Sequence, residues 1–536
     1  MHASRLSPHC IASMLLAAGS AWATPHECGS GLSPIDYAEY FNALPKDGAA
    51  CRMSVQGSGD KAHIVVDPLV SNPAMSCPDM FAWKLYADVI RDRWWVRWAA
   101  EDQNWPAQPY ALCAGNESPK NTHCCAFGDA GNDPKHCPVF PGALAQQLHI
   151  PLLRAPLDQP PTLRPSFAAD VHGVSRRLLA IAQAQTDDKE HIESIGRQIR
   201  QDNNEYTVRN EAFHDFVFRN DLYNTEGVAA VFARNAQFLA TNAPYRATPA
   251  AAGGVLTSID FPPDAIMIKS NWIKEDLARE LHLPEDPNLP YIKKEFLDGE
   301  GHRGVYWLVA LHISSKDIPN WVWATFEHVS MPGRCDITGC NDSFGYLTTD
   351  TLPAGAARNF VAPKTTCDRL AAASIVFSRD RLYAPEQRTA ALGAIFDGMR
   401  IGVAAAKDPK NPDALDAAWR SYRLKGTQVD FADATGRATM LANSITEAGF
   451  VNGSSCMTCH ARAGTDELGP AHPNLPDRGT FPLGVFVNAV SDFGYGMSAN
   501  GLPNPAWFHE SNTPPRLHVL QTDFVWGFMN ANRVVK

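Results

Sequence analysis

The sequence has no excess of positive charge, and it has no hydrophobic run long enough to cross a membrane. The 536 residues contain 47 Lys and Arg against 57 Asp and Glu, which gives a net charge of −10. This balance argues against a nucleic-acid partner, because phosphates are bound by basic surfaces. Later stretches also fall short of the roughly 20 apolar residues that cross a bilayer. We therefore predict no nucleic-acid partner and no membrane span.

Several motifs of common enzyme classes are also missing. The sequence contains no Gly-rich nucleotide-binding loop, no Gly-x-Ser-x-Gly elbow and no His-Glu-x-x-His zinc helix, which leaves nucleotide and hydrolase chemistry poorly supported. It contains no internal repeat and no low-complexity tract. The length predicts two or three domains with cores of their own.

The N-terminal segment has the pattern of an export signal. Arg5 precedes a short apolar run, Cys10–Ala18, and Ala21-Trp22-Ala23 fits the small-x-small rule for cleavage. The apolar run is about half of what a membrane anchor requires. We predict a signal peptide over residues 1–23, cleavage after Ala23 and a periplasmic location.

The cysteine content agrees with export. Thirteen cysteines are present, and outside the leader and one C-terminal motif their number is even, which predicts disulfides in an exported chain. Cys335 and Cys340 form a natural local pair. The alternative is a metal cluster in the early Cys/His-rich segment, made of His123, Cys124, Cys125, His136 and Cys137. We favour disulfides over this cluster.

The predicted fold class is α+β. We expect a loop-rich, Cys-containing region over residues 24–165, an α+β region with an antiparallel β core over 166–431, and a mainly α domain over 432–536. Gly304–Ser314 and Trp321–Val329 are nearly continuous apolar runs, which predicts two paired strands covered on both faces. Met80–Trp98 is predicted as an amphipathic helix or as a helix followed by a strand, and further helices are predicted over Asn411–Tyr422 and Thr435–Gly449.

One short motif has a specific chemistry. Cys456, Cys459 and His460 form Cys-x-x-Cys-His, in which two thiols one helical turn apart add to the vinyl groups of a haem and the adjoining imidazole reaches the iron. A thioredoxin-like redox pair lacks its βαβ setting here. Half of a zinc site lacks a second Cys/His pair at suitable spacing. The motif therefore predicts one covalent haem c.

On this motif, residues 432–536 resemble the c-type cytochromes. The longer part before them resembles large exported haem oxidoreductases and, loosely, periplasmic peroxidases and fatty-acid oxygenases, although a single haem motif departs from the di-haem peroxidases. The resemblance implies a methionine as sixth iron ligand, and Met497 in the Gly-rich Phe493–Gly501 loop fits that placement. A histidine ligand (His472, His509 or His518) and an iron without a strong sixth ligand remain open.

Other residues are weaker candidates. His312 and His328 lie on the two predicted core strands and are candidate catalytic acid/base groups, although a packed core histidine is the commoner role. Lys269, Trp272 and Lys274 are candidates to meet a haem propionate or a substrate carboxylate.

Three functions follow from these residues. The first is an exported monohaem cytochrome that acts as a periplasmic oxidoreductase, with iron held by His460 and Met497 and electrons exchanged with a periplasmic partner. The second is a haem enzyme with an open iron site that acts on a small organic or lipid substrate. The third is a haem-based redox or gas sensor.

Overall fold

The computed structural model describes most of the central part of the chain. The residues described are 50–141, 161–165, 204–242, 255–280, 283, 285–330, 340–346, 360–361, 388–405, 413–432, 439, 441, 443, 445–446, 455–467, 501–503, 508–510 and 516–535. The signal peptide, Met497, His472, Cys335 and Cys367 lie outside these residues, and the predictions made for them stay predictions.

An eight-stranded antiparallel sheet organises the described residues. Its strands are β1 (Ala99–Ala100), β2 (Arg164–Pro165), β3 (Asn204–Arg209), β4 (Ile266–Lys274), β5 (Lys293–Leu297), β6 (Arg303–Ser315), β7 (Val322–His328) and β8 (Tyr422–Gln428). The main path runs β8-β7-β6-β4-β3-β1, while β2 pairs with β3 and β5 with β6. The predicted α+β class with an antiparallel β core is confirmed.

The two faces of this sheet differ in chemistry. Val322, Ala324 and Phe326 of β7 belong to a large apolar core that includes most of the helix α1 (Pro78–Asp92). Side chains alternate along a strand, so Trp323 and Thr325 lie on the opposite face. Polar side chains are frequent on that second face.

The described residues also contain helices. Besides α1 they are α2 (Glu211–Arg219), α3 (Thr225–Asn242), α4 (Glu275–Glu280), α5 (Ala390–Gly398) and α6 (Cys456–His460), with single turns at Pro73–Ser76, Trp94–Arg97 and Glu101–Asn104 and 3₁₀ turns at Gly59–Lys61, Ala417–Ser421 and Trp526–Asn530. None of the helices in the described part of the chain combines the length and apolar character that a bilayer crossing requires.

Short strand pairs lie outside the sheet. Four are antiparallel: Met53–Gln56 with His63–Val66, Cys340–Asn341 with Phe360–Val361, Gly464–Thr465 with Leu520–Gln521, and His509–Glu510 with Arg516–Leu517. A fifth, Ala111–Leu112 with Cys124–Cys125, is parallel.

Three disulfides join early cysteines: Cys51–Cys77, Cys113–Cys124 and Cys125–Cys137. The prediction of disulfides is confirmed for these six residues. Two of the bridges use the sulfur atoms of the alternative metal cluster, and the described residues contain no group of three or more metal-ligating side chains that could hold an ion. The metal cluster is therefore excluded as the role of these cysteines.

Two of the predicted helices are wrong in the residues that are described. Of the segment predicted from Asn411 to Tyr422, residues 413–422 are described; they contain the 3₁₀ turn Ala417–Ser421 and enter β8 at Tyr422, because pairing with β7 in the sheet outweighs local helix propensity. Within Thr435–Gly449, residues 439, 441 and 443 are irregular and 445–446 form a turn. The side chain of Asn443 accepts from Ile445 N at 2.8 Å, which competes with helical hydrogen bonding.

The buried histidine of α2 predicts an acid sensitivity. His214 is 2% exposed, and burial lowers its pKa from 6.5 to about 3. The unfolded chain binds the proton near pH 6.5 and the folded chain does not, so this group's contribution to stability is complete above pH 6.5 and is lost as the pH falls toward 3. The loss is about 1.4 kcal/mol per pH unit.

Urea denaturation between pH 7 and pH 4 measures this loss. His214→Gln is expected to show a flatter decline of the unfolding free energy than the natural sequence. His302→Gln is the control, because the side chain of His302 is 68% exposed. An equal slope for all three proteins would contradict the prediction.

Candidate functional site

The Cys-x-x-Cys-His motif folds as the single-turn helix α6. Ser455 is its N-cap and accepts from Thr458 N at 3.2 Å, which satisfies one of the donors that a helix start leaves unpaired. Met457 and Thr458 are buried, whereas Cys456, Cys459 and His460 are only partly buried. The helix therefore turns its two apolar or hydroxyl side chains inward and keeps the three chemically distinctive ones on its more open side.

The last residue of β8 fastens this helix to the sheet. The side-chain oxygen of Gln428 accepts from Met457 N at 3.1 Å, and its amide nitrogen donates to Ser455 Oγ at 2.8 Å. The same nitrogen donates to Thr439 Oγ1 at 2.7 Å. All four groups are buried, so the position of the motif is set by the edge of the sheet.

His460 is held in one tautomer. Its Nδ1 lies 2.8 Å from the carbonyl oxygen of Phe524; since a carbonyl only accepts, Nδ1 must carry the proton. Burial is the main cause that lowers the pKa of His460 to about 4, so the ring is neutral at pH 7. The remaining nitrogen, Nε2, therefore carries a lone pair. A neutral imidazole fixed through its other nitrogen is the form in which histidine binds metals.

A polar row on the second face of the sheet lies beside His460. Strand register aligns Lys269 of β4 with His312 of β6, and His312 with Thr325 of β7. Trp323, two residues before Thr325, places its ring 4.3 Å from the ring of His460. We refer to Lys269, His312, Trp323 and Thr325 as the sheet wall.

The second imidazole of the site, His312, is also neutral. Burial is the largest cause of its lowered pKa, followed by the positive charge of Lys269 and by electrostatic coupling to the His460 ring. This electrostatic coupling means that the three groups lie close together. His312 nevertheless keeps some exposed surface, as does His460.

A hydrogen-bond chain orients His312. Thr446 Oγ1 donates to Asn271 Oδ1 at 2.9 Å. Because this bond uses the only proton of the threonine hydroxyl, Thr446 Oγ1 must accept from His312 Nε2 at 2.8 Å. Nδ1 of His312 is then the unprotonated nitrogen. Asn443 Nδ2 donates to Thr325 Oγ1 at 2.9 Å and brings the segment that carries Thr446 onto the sheet wall.

His328 occupies a different environment. It alternates with Thr325 along β7 and so lies on the opposite face of the sheet, where it is fully buried. Its Nε2 lies 3.2 Å from the carbonyl of Pro290, its Nδ1 accepts from Ser330 N at 3.1 Å, and its ring stacks on Tyr291 at 3.6 Å. These contacts are those of a packed core histidine, and the catalytic role of His328 stays a prediction.

The other candidate residues from the sequence also lie in different environments. Lys269 belongs to the sheet wall and forms an ion pair with Glu205 at 2.8 Å. Trp272 lies in the apolar core with α1 and donates to Ser270 Oγ, while Lys274 ends β4. His509 lies in the short strand His509–Glu510, and His518 N donates to the Phe508 carbonyl at 2.8 Å.

The residues present fit a covalently attached haem. The two sulfur atoms stand one turn apart on the more open side of α6, and Nε2 of the neutral His460 is available to bind iron. Sequence reasoning missed the residues that orient the site: Gln428 for α6, Phe524 for His460 and Thr446 for His312. Each is distant from its partner along the chain, so neither spacing nor periodicity could have found them.

No protein-family model matches the sequence, and no curated protein and no solved structure shows significant similarity to it.

Proposed function

We propose that the chain is a monohaem c-type cytochrome that acts as an oxidoreductase. Cys456 and Cys459 form the thioether bonds, and Nε2 of His460 binds the iron. The observation that carries this proposal is the hydrogen bond of 2.8 Å between His460 Nδ1 and the Phe524 carbonyl. It leaves a neutral imidazole with its lone pair on the nitrogen that a haem iron requires.

The proposed location is the periplasm, after cleavage of a signal peptide at Ala23. Three disulfides support export, because such bonds form and persist in oxidising compartments. Covalent haem is also attached outside the cytoplasm. In this setting the protein would exchange electrons with a periplasmic donor or acceptor.

When bound, the haem supplies a one-electron iron centre. The chain's own residues would bind and orient it: Gln428 fixes the start of α6, Phe524 fixes the ring of His460, and Trp323 packs against that ring. Met497 remains the proposed sixth ligand. Thr458 Oγ1 donates to the carbonyl of Gly501 at 2.6 Å, and the four-residue spacing from Gly501 to Met497 spans up to about 14 Å. This distance is compatible with ligation.

One observation favours the second function, a haem enzyme with an open iron position. An electron-transfer haem needs only an apolar pocket, whereas the sheet wall presents a lysine, a hydroxyl and an imidazole beside His460. His312, with an unprotonated Nδ1 and a fixed Nε2–H, can accept a hydrogen bond from a molecule bound beside the iron. The substrate class would be a peroxide or a small organic or lipid molecule.

Absorption spectra of the protein purified from a host that attaches haem c test both functions. We expect a covalent haem c spectrum. If Met497 binds the iron, the oxidised protein will show the weak far-red band of methionine ligation, and Met497→Ala will remove it. If the position is open, the oxidised spectrum will be high-spin and carbon monoxide will bind the reduced protein. Colourless protein would contradict both functions.

A further inference from the structure

The backbone that contacts His460 has an unusual conformation. Asp523 and Phe524 have φ values of 47° and 67°, in the left-handed region that non-glycine residues rarely adopt. Two such residues in succession, one of them aromatic, form a strained turn. A conformation of this kind persists only where the surrounding contacts impose it.

A buried carboxylate imposes it here. Asp523 Oδ1 accepts from Lys316 Nζ at 2.6 Å and from Trp321 Nε1 at 3.3 Å, and Oδ2 accepts from Phe261 N at 2.7 Å. Asp523 and Lys316 are each 6% exposed. The carboxylate thus joins the loop before β7 to the segment before β4, and all three donors point to one residue of the turn.

The strained turn has one evident structural consequence. It directs the Phe524 carbonyl at His460 Nδ1, at 2.8 Å. A short antiparallel pair, Gly464–Thr465 with Leu520–Gln521, ties the two segments together just before the turn. The turn is therefore built onto the residues that follow the haem motif.

We propose that Asp523 is a positioning residue for the iron ligand. Asp523 holds the Asp523–Phe524 turn so that the Phe524 carbonyl stays bonded to His460 Nδ1, and this hydrogen bond lowers the reduction potential of the haem. The effect on potential rests on the proposed function, whereas the effect on the His460 hydrogen bond does not. An acceptor at Nδ1 increases the basicity of the imidazole. A more basic ligand stabilises oxidised iron over reduced iron.

Substitutions at the ion pair test the proposal. Asp523→Asn keeps the size of the side chain and tolerates left-handed backbone but removes its charge, and Lys316→Met removes the partner. Both are expected to raise the reduction potential. Loss of a hydrogen bond of ordinary strength changes an equilibrium about two- to tenfold, and tenfold corresponds to about 59 mV for one electron. Lys316→Arg keeps the charge and is expected to restore the natural potential.

Glu275→Gln is the matched control. Glu275 also accepts from a lysine and an indole, namely Lys293 Nζ at 2.9 Å and Trp307 Nε1 at 3.1 Å. These contacts lie toward the other end of β6 from Lys316. The control should lower stability without changing the potential.

A second measurement separates this proposal from haem binding. In full-length Cys456→Ser/Cys459→Ser protein with ¹⁵N-labelled histidine, Asp523→Asn should accelerate solvent exchange of the His460 Nδ1 proton, whereas Glu275→Gln should not. Unchanged exchange in the Asp523 variant would overturn the proposal with or without haem. If Asp523→Asn accelerates the exchange but the natural protein is colourless, the positioning role is upheld and the proposed function is refuted. With haem bound, an unchanged potential would overturn the effect on iron.

Discussion

Replacing Cys456 and Cys459 together with serine is expected to abolish covalent haem attachment. Each thioether bond requires one sulfur atom, and serine supplies none. Haem staining after denaturing electrophoresis should fall to background. Single variants should keep one thioether, and their pyridine haemochrome band should move toward that of non-covalent haem.

Loss of folding must be separated from loss of attachment. Cys51→Ser/Cys77→Ser removes a disulfide that lies in the core beside α1, which costs about 2–5 kcal/mol of stability, but it leaves the motif intact. This variant should retain haem staining per molecule. Staining that survives in the Cys456→Ser/Cys459→Ser protein would refute covalent attachment at this motif.

Trp323→Ala should produce the second large effect. Trp323 is 3% exposed, lies 4.3 Å from the ring of His460 and packs near Phe524. Truncation of a buried tryptophan leaves a cavity and lowers the free energy of unfolding by about 3–5 kcal/mol. Since the cavity opens beside His460, the haem spectrum should change as well. Urea denaturation and absorption spectra measure the two effects.

A buried tryptophan on the other face is the control for this variant. Trp419 is 1% exposed and stacks on Trp95 within the core that includes α1. Trp419→Ala should lower stability by a similar amount and leave the haem spectrum unchanged. A spectrum that changes equally in both variants would mean that Trp323 acts only through general stability.

Apolar patterns in the sequence predicted two adjacent strands of the sheet and one major helix. The apolar runs Gly304–Ser314 and Trp321–Val329 correspond to β6 and β7, which pair antiparallel and are buried on both faces. The pattern within Met80–Trp98 corresponds to α1. These segments could be predicted because their burial pattern is local and repeats along the chain. The predicted boundaries at residues 165 and 431 stay predictions, and contacts such as those of Gln428 and Trp323 cross the second one.

The surroundings of the motif could not be predicted in the same way. Asn443 and Thr446 lie in a segment whose composition favours a helix, yet their side chains bond to Thr325 and Asn271 on the sheet. Such bonds form only after distant strands have assembled. Likewise, a sequence gives no sign that Asp523 and Phe524 take left-handed backbone, because Lys316 and Phe261 impose it from far along the chain.

The carbonyl that orients His460 lies 64 residues after it, close to the end of the chain. Gln428, which fixes the start of α6, precedes its bonding partner Met457 by 29 residues. A chain synthesised from its N-terminus therefore contains the anchor of the motif helix before the motif itself, and the group that orients the imidazole only after it. A chain that stopped just short of Asp523 would retain every sulfur and nitrogen of the motif and lose the control over how its imidazole is turned.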